Sequence, residues 1–273
     1  MKKLTVLFFL CIIPFIANAT ISEMSFGKWS IKFNDETKQA EFVKEGVTVL
    51  KDVKIKFKNG DVLLDASSYN SVKIKQEDIV DEVGKARKFT IEYTGSENSD
   101  NPIVYQNFYL YDGQDYFLTD VILQSPDNSI ISSNYIAPII TEADNLFLPA
   151  DVNNRFITVP FDNDGFITYA SYPLSCSQTD PESLAIGRVA RDSVSMEVSA
   201  IFNGETQLGL VIGSVDHDTW KSAVRITGSP LAQGKITNLE CFSGVTHHIT
   251  RDMIDGVLKP HGAVKGQQVK SAR

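Results

Sequence analysis

Apolar and polar residues alternate along much of the chain, with the two-residue period that is typical of half-buried β-strands. In VKIKFK, residues 53–58, apolar side chains alternate with lysines. The dipeptides Asn59-Gly60, Asp112-Gly113 and Asn203-Gly204 interrupt such stretches, and these residue types tolerate the positive φ angles of tight hairpin turns. The pattern therefore predicts antiparallel hairpins at these three places.

Residues 208–215, LGLVIGSV, carry apolar side chains on both faces of the predicted strand, which favours a position between stacked sheets. Gly209 and Gly213 would lie on one face of this strand and leave room for another layer to approach closely. Helical patterns are confined to the short stretches 180–189 and 250–257, each long enough for only a turn or two. The chain is therefore predicted to be all-β, with the architecture of a large antiparallel β-sandwich.

The first 19 residues have the three parts of a secretory signal peptide. Lys2 and Lys3 precede an apolar run that is shorter than the roughly 20 residues of a membrane-spanning helix, and Ala17-Asn18-Ala19 has the small residues of a cleavage site. We therefore expect cleavage near Ala19, export to the periplasm or beyond the cell, and no membrane span. Residues 20–250 are assigned to the sandwich. Residues 251–273, which end in a stretch poor in apolar side chains, are assigned to a linker or tail.

Composition and spacing exclude several partners and cofactors. The chain has a formal net charge of −8 at pH 7, so we expect no binding to nucleic acid or to an anionic membrane. The sequence has no H-x-H, H-E-x-x-H or C-x-x-C pattern, so neither a metal site nor a cofactor is expected. Cys176 and Cys241 are the cysteines that would remain after cleavage, and the sequence leaves open whether they pair.

Carbohydrate contact is the chemistry that best fits two stretches rich in acids and aromatic residues. Asp162, Asn163 and Asp164 lie among phenylalanines, and Trp220 follows two aspartates closely. Carboxylates and amides hydrogen-bond sugar hydroxyls, and flat aromatic faces cover the C–H surfaces of the ring. The alternative is that the acids form solvent-exposed turns and that the aromatic residues, Trp220 among them, pack in the core.

The sequence predicts no catalytic residue. The two carboxyl groups of a glycosidase flank a sugar ring at a separation of about 5–10 Å. In contrast, Asp162 and Asp164 share one short loop, as do Asp216 and Asp218. No G-x-S-x-G motif is present, and the cluster that begins at Asp162 lacks the spaced ligands and distal glutamate of a calcium loop.

Three longer stretches carry a family likeness. They are NNRFITVPFDNDGF at residues 153–166, YASYPL at 169–174 and VSAIFNGETQLGLVIGSVDHDTWK at 198–221. In this order they resemble the N-terminal region of secreted bacterial α-galactosidases of glycoside hydrolase family 36, and PHGAVKG from Pro260 is similar to the segment that follows it. The resemblance implies a β-supersandwich of the galactose-mutarotase type, placed ahead of a (β/α)8 barrel that carries the catalytic aspartates.

Nothing in this chain alternates strand and helix as a barrel requires. The resemblance therefore implies a truncated, non-catalytic N-terminal domain of an exported enzyme for terminal α-galactosides. It further implies a catalytic barrel as partner, contacts in a homo-oligomer, and a sugar cleft bordered by Asp162, Asn163, Asp164 and Trp220. Two alternatives stay open: a stand-alone carbohydrate-binding protein, and a structural or interaction module whose exposed apolar patch favours self-association.

Overall fold

The computed structural model describes residues 20–142, 147–159, 170–174, 192–216, 219–228, 235–246 and 263–273. Within these ranges the chain forms β-strands and one 3₁₀ turn, Ala66–Ser68. They contain no helix long and apolar enough to cross a membrane. The signal-peptide residues 1–19 and the two short helical stretches of the sequence analysis lie outside the described residues.

The strands are numbered in chain order. The first ten are β1 (Ile21–Phe26), β2 (Trp29–Asn34), β3 (Gln39–Lys44), β4 (Val47–Asn59), β5 (Val62–Asp65), β6 (Tyr69–Val80), β7 (Lys85–Ser96), β8 (Ile103–Tyr111), β9 (Phe117–Gln124) and β10 (Ile131–Ser133). The others are β11 (Ile136–Glu142), β12 (Asn154–Thr158), β13 (Ala170–Pro173), β14 (Asp192–Met196), β15 (Val198–Asn203), β16 (Gly209–Gly213), β17 (Trp220–Gly228), β18 (Ile236–Thr246), β19 (Val264–Gly266) and β20 (Gln268–Lys270).

These strands form four antiparallel sheets. The largest has the order β1-β2-β3-β4-β11-β18-β17-β14, with β5 attached to β4, and the second has the order β20-β9-β8-β7-β6. Strands β13-β12-β15-β16 form a smaller sheet, and β10 pairs with β19. The chain passes from the largest sheet into the five-stranded sheet between β5 and β6, and it returns to the largest sheet between β9 and β11.

Aromatic side chains fill the space between the nine-stranded and the five-stranded sheet. Phe33 of β2 meets Tyr93 of β7 with ring centroids 6.1 Å apart, and Phe42 of β3 meets Phe108 of β8 at 5.7 Å. All four side chains are fully buried. Because each comes from the apolar face of an alternating strand, the two sheets pack face to face. The prediction of a large antiparallel β-sandwich is confirmed.

The three predicted hairpins are present. Asn59 pairs with Val62, so Gly60, with φ +60°, is the first of two loop residues, and the turn lies one residue later than predicted. Asp112-Gly113 begins a longer loop between β8 and β9. Asn203 ends β15, and its side chain accepts hydrogen bonds from two backbone N–H groups of the following loop, at 3.0 and 2.9 Å. This local bonding is why asparagine favours such turns.

The stretch 208–215 does not lie between stacked sheets, and that prediction is wrong. Its strand β16 is the last strand of the small sheet, and Val211 is 72 % exposed. A Cβ atom on Gly209 or Gly213 would come within 3 Å of atoms of the neighbouring strand β15. The glycines therefore allow the partner strand in the same sheet to approach closely, rather than another layer.

The chain's last eleven residues, 263–273, are not a free linker as the sequence analysis expected. Strand β19 pairs with β10, and β20 pairs with β9 at the edge of the five-stranded sheet. The side chains of Val269 and Ala272 belong to the main core, with 1 % and 7 % exposure. Polar composition misled the prediction because an edge strand needs few apolar residues when its backbone is hydrogen-bonded. Residues 251–262 lie outside the described residues.

The loop after Asp112-Gly113 supplies a pH-sensitive contact. Asp115 accepts hydrogen bonds from Lys28 at 2.8 Å and forms an ion pair with Lys44 at 2.9 Å, and these two ammonium groups lower its pKa to about 2. Because the folded-state pKa lies below the usual value of 3.8, the contact stabilises the fold above about pH 4 and is lost as the pH falls towards 2.

We expect an NMR titration to give Asp115 a pKa of about 2 and the double variant Lys28→Met/Lys44→Met to raise that pKa towards its usual value. The pKa of Asp78, which is lowered by a hydrogen bond from Arg87, serves as the internal control and should not move. An Asp115 pKa unchanged in the double variant would show that the two lysines do not hold this carboxylate.

Candidate functional site

Among the predicted sugar-contacting residues, only Trp220 lies within the described residues. Its side chain is 2 % exposed, and its indole Nε1 donates a hydrogen bond to the carbonyl oxygen of Lys270 at 2.6 Å. The indole therefore packs in the main core, as the alternative interpretation held, and it offers no open face to a sugar. Asp162, Asn163 and Asp164 lie outside the described residues, so their contact with a sugar stays a prediction.

A row of polar side chains crosses the outer face of the five-stranded sheet. Lys75 of β6, Thr90 of β7, Asn107 of β8 and Asp120 of β9 are successive cross-strand partners. Side chains alternate between the two faces of a strand, so the neighbours of these residues point into the core while the row points outward. Residues that are far apart in the sequence thus form one continuous polar surface.

Hydrogen bonds run along this row in one direction. The hydroxyl of Thr90 donates to Asn107 Oδ1 at 2.7 Å, and Asn107 Nδ2 donates to Asp120 Oδ1 at 2.7 Å. The second oxygen of Asp120 accepts from the hydroxyl of Tyr109 at 2.9 Å and forms an ion pair with Lys270 Nζ at 3.4 Å. The orientation of the Asn107 amide is therefore fixed from both sides.

Asp120 is fully buried although its side chain belongs to the outer face. A buried carboxylate requires hydrogen bonds and a counter-charge, and here Asn107, Tyr109 and Lys270 supply them. Burial, together with the charge of Asp120, raises the pKa of Tyr109 far above its usual range, so the phenol stays protonated and continues to donate. The network thus forms a rigid base for the surface above it.

A cleft of about 520 Å³ lies over this network. Its walls come from β6, β7, β8 and β9, and they combine charged, amide, hydroxyl, aromatic and aliphatic side chains. The lining residues are Lys75, Gln76, Glu77, Lys88, Thr90, Tyr105, Asn107 and Ile122.

Two ion pairs border the cleft. Lys75 Nζ lies 2.6 Å from a carboxylate oxygen of Glu92, and Lys88 Nζ lies 3.1 Å from one of Glu77. The hydrogen bond to Glu92 raises the pKa of Lys75, so this ammonium stays charged at neutral pH. Each ammonium group is thus paired with one carboxylate, so the cleft has no strong field of either sign.

The cleft contains both donors and acceptors of hydrogen bonds. A glycosidase's general acid needs a raised carboxyl pKa, whereas the shifts resolved for carboxyl groups among the described residues all go downward. The groups are Asp78, Asp81, Asp115 and Asp127; hydrogen bonds to the charged form lower each pKa against the effect of burial, which is the largest single influence on Asp81. The same part of the chain brings together no group of three side chains that could hold a metal ion.

A second buried carboxylate lies on the nine-stranded sheet. Glu240 is 6 % exposed; it accepts a hydrogen bond from the Tyr135 hydroxyl and pairs with Arg225 Nη1 at 2.6 Å. Burial and the charge of Glu240 raise the pKa of Tyr135. The Arg225 guanidinium also lies 5.4 Å from the ring centre of Phe242. These contacts hold the three polar side chains together and point to a structural role.

Cys241 has a free thiol in this structure, and its pKa is raised mainly by burial. Cys176 lies outside the described residues, so pairing between the two stays untested. A buried thiol with a raised pKa is a poor nucleophile, so Cys241 itself has a packing role.

The polar row was not predicted from the sequence, although the sequence contains two signals for it. Asp120 is the one charged residue in the mainly apolar stretch FLTDVIL, and Asn107 begins the aromatic stretch NFYLY. A polar side chain in such a setting is usually buried and hydrogen-bonded. The signals mark the two residues individually, but only the ladder register shows that they are neighbours.

No family model matches the chain, and the search of curated proteins found no match. Among solved structures, the chain is similar to the α-N-acetylgalactosaminidase NagBb from Bifidobacterium bifidum in complex with GalNAc, with 11 % identity, a TM-score of 0.53, and coverage of 82 % of this chain and 33 % of that one. For the same enzyme in complex with Gal-NHAc-DNJ, the identity is 11 %, the coverages are again 82 % and 33 %, and the TM-score is 0.46. At this identity the first likeness shows a shared fold alone, and the chain spans about one third of the length of that enzyme.

Proposed function

We propose that the chain is the non-catalytic N-terminal β-sandwich domain of an exported glycoside hydrolase that acts on terminal α-galactosides. The observation that carries the proposal is the fold shared with one third of an α-N-acetylgalactosaminidase, a hydrolase of α-linked galactose-type sugars by its name. The sequence likeness to family 36 α-galactosidases points independently to the same class of substrate. A separate catalytic barrel is the partner that this proposal requires.

The purified chain, residues 20–273, is expected not to hydrolyse 4-nitrophenyl α-galactoside or the matching α-N-acetylgalactosaminide. Among the described residues, the four carboxyl groups with a resolved pKa shift, Asp78, Asp81, Asp115 and Asp127, have a lowered pKa, which is the opposite of what a general acid needs and supports this expectation. The assay should compare the chain with an identically purified Asp120→Ala variant. Turnover that persists through purification and falls in the variant would contradict a non-catalytic role.

An interaction role is a second candidate, and strand β16 favours it. This strand forms the end of its sheet, and Leu208, Val211 and Val215 in and beside it are 58 %, 72 % and 64 % exposed. Strand edges that are not meant to pair usually carry charges or proline, and GLVIG has neither.

Light scattering over a concentration series should show self-association that Val211→Lys abolishes and Val80→Lys, at another exposed valine, leaves unchanged. A wild-type chain that stays monomeric at high concentration would count against this role.

A further inference from the structure

We propose that the cleft on the outer face of the five-stranded sheet is a binding site for a neutral carbohydrate. The geometry of the cleft carries this proposal. Only the choice of galactosides as the first ligands to test rests on the proposed function. The cleft volume of about 520 Å³ lies within the range of roughly 300–1,000 Å³ that is usual for small-molecule sites.

The cleft offers two kinds of surface that a pyranose needs. Tyr105 and Ile122 are cross-strand partners on β8 and β9, and both are partly buried, so together they form an apolar patch within the cleft. The C–H face of a sugar ring can cover such a patch. Thr90 and Asn107, the neighbouring cross-strand pair, place a hydroxyl and an amide beside it.

The polar groups around this patch retain hydrogen-bonding capacity after their internal contacts are made. The Lys88 ammonium has three donors and makes one ion pair, with Glu77, whose carboxylate side chain is 59 % exposed. Lys75 is likewise paired on one side, with Glu92, and its side chain is 64 % exposed. Sugar hydroxyls both donate and accept, so they match a border that contains both ammonium and carboxylate groups.

The balance of positive and negative charges at the cleft favours a neutral ligand. Lys75, Lys88 and Glu77 line the cleft and Glu92 lies beside it as the partner of Lys75, so each ammonium group has one carboxylate partner. A phosphate or an acidic sugar would meet as many repulsive as attractive charges there, whereas a neutral polyol meets only hydrogen-bonding partners. Because Asn107 is 1 % exposed and held by Thr90 and Asp120, the floor is already ordered before a ligand arrives, which lowers the entropic cost of binding.

Calorimetric titration of the purified chain tests the site with melibiose, N-acetylgalactosamine and maltose. We expect saturable binding with a Kd of about 1 mM, the weak affinity of a single-ring site. Tyr105→Ala should weaken it at least about tenfold by removing the ring surface, and Glu77→Gln should weaken it by a smaller factor. Tyr116→Ala, at a tyrosine that is 45 % exposed and does not line the cleft, is the matched control and should leave the Kd unchanged.

The unfolding midpoint of each variant shows whether it is folded, and the exposed Glu77 keeps the test valid if Tyr105→Ala does not fold. No saturable binding of any of the three sugars would overturn the site, as would binding that neither cleft variant weakens. Binding of maltose with the same dependence on Tyr105 would support the site while contradicting the galactoside preference of the proposed function. The two proposals can therefore fail separately.

Discussion

A chain that stops before Ala263 is expected to lose most of its folding stability. The eleven missing residues include β19, β20 and the buried side chain of Val269, and they supply the acceptor for the Trp220 indole N–H. Burial of one valine contributes about 2 kcal/mol, and each net hydrogen bond contributes about 1 kcal/mol. A loss of roughly 5 kcal/mol is comparable to the whole stability of many domains, so the shortened chain should be largely unfolded or aggregated.

Denaturant unfolding followed by tryptophan fluorescence measures this loss. Val269→Ala in the full-length chain should remain folded, with a free energy of unfolding lower by about 2 kcal/mol. That result would show that the tail stabilises the fold through its buried side chain. Lys265→Ala, at an exposed position of β19, is the matched control and should unfold at the wild-type denaturant concentration. A shortened chain as stable as the full one would show that the contacts of the tail do not stabilise the sandwich.

The second large effect is expected at Asp120. Replacement by alanine leaves the Tyr109 hydroxyl, the Asn107 amide and the Lys270 ammonium without their shared partner, and the first two are buried. Breaking a buried, hydrogen-bonded charge pair costs about 3–5 kcal/mol, most of it from the groups left behind. Because Lys270 retains access to water, we expect the lower end of this range, about 3 kcal/mol.

Asp78→Ala is the matched control, because Asp78 also pairs with a cation on the same sheet, Arg87, but its side chain is 71 % exposed. Solvent replaces an exposed partner at little cost, so this variant should unfold close to the wild type in the same denaturant titration. Equal losses in the two variants would show that the Asp120 network is no more than a surface ion pair. A lower sugar affinity in Asp120→Ala, measured where the variant is still folded, would connect the network to the cleft above it.

The strands and hairpins could be predicted because their signals are local. Alternation in residues 53–58 follows directly from the half-buried position of β4, and asparagine and glycine mark where the chain turns. The prediction for residues 208–215 was wrong because an apolar strand has the same sequence pattern whether or not a second sheet covers it. Residues 263–273 were not predicted to belong to the sandwich because backbone hydrogen bonds to β9 hold β20 in place, and no side-chain pattern records such bonds.

The candidate site could not be assembled from the sequence. Thr90, Asn107 and Asp120 lie 17 and 13 positions apart, and only the ladder register makes them neighbours. Acids and aromatic residues that are close along the chain predicted a sugar contact instead, with Trp220 at a cleft. The large apolar surface that suits this tryptophan to a sugar ring also favours its burial in the core, where it is 2 % exposed.

The reading frame that follows the codon for Arg273 tests most directly whether this sandwich serves a galactoside hydrolase. Sequencing the genomic DNA downstream is predicted to show a frame, intact or interrupted by a single lesion, that encodes the alternating strands and helices of a (β/α)8 barrel. Unrelated sequence after a stop codon would contradict that claim. The cleft over Asn107 would then point to a stand-alone carbohydrate-binding protein.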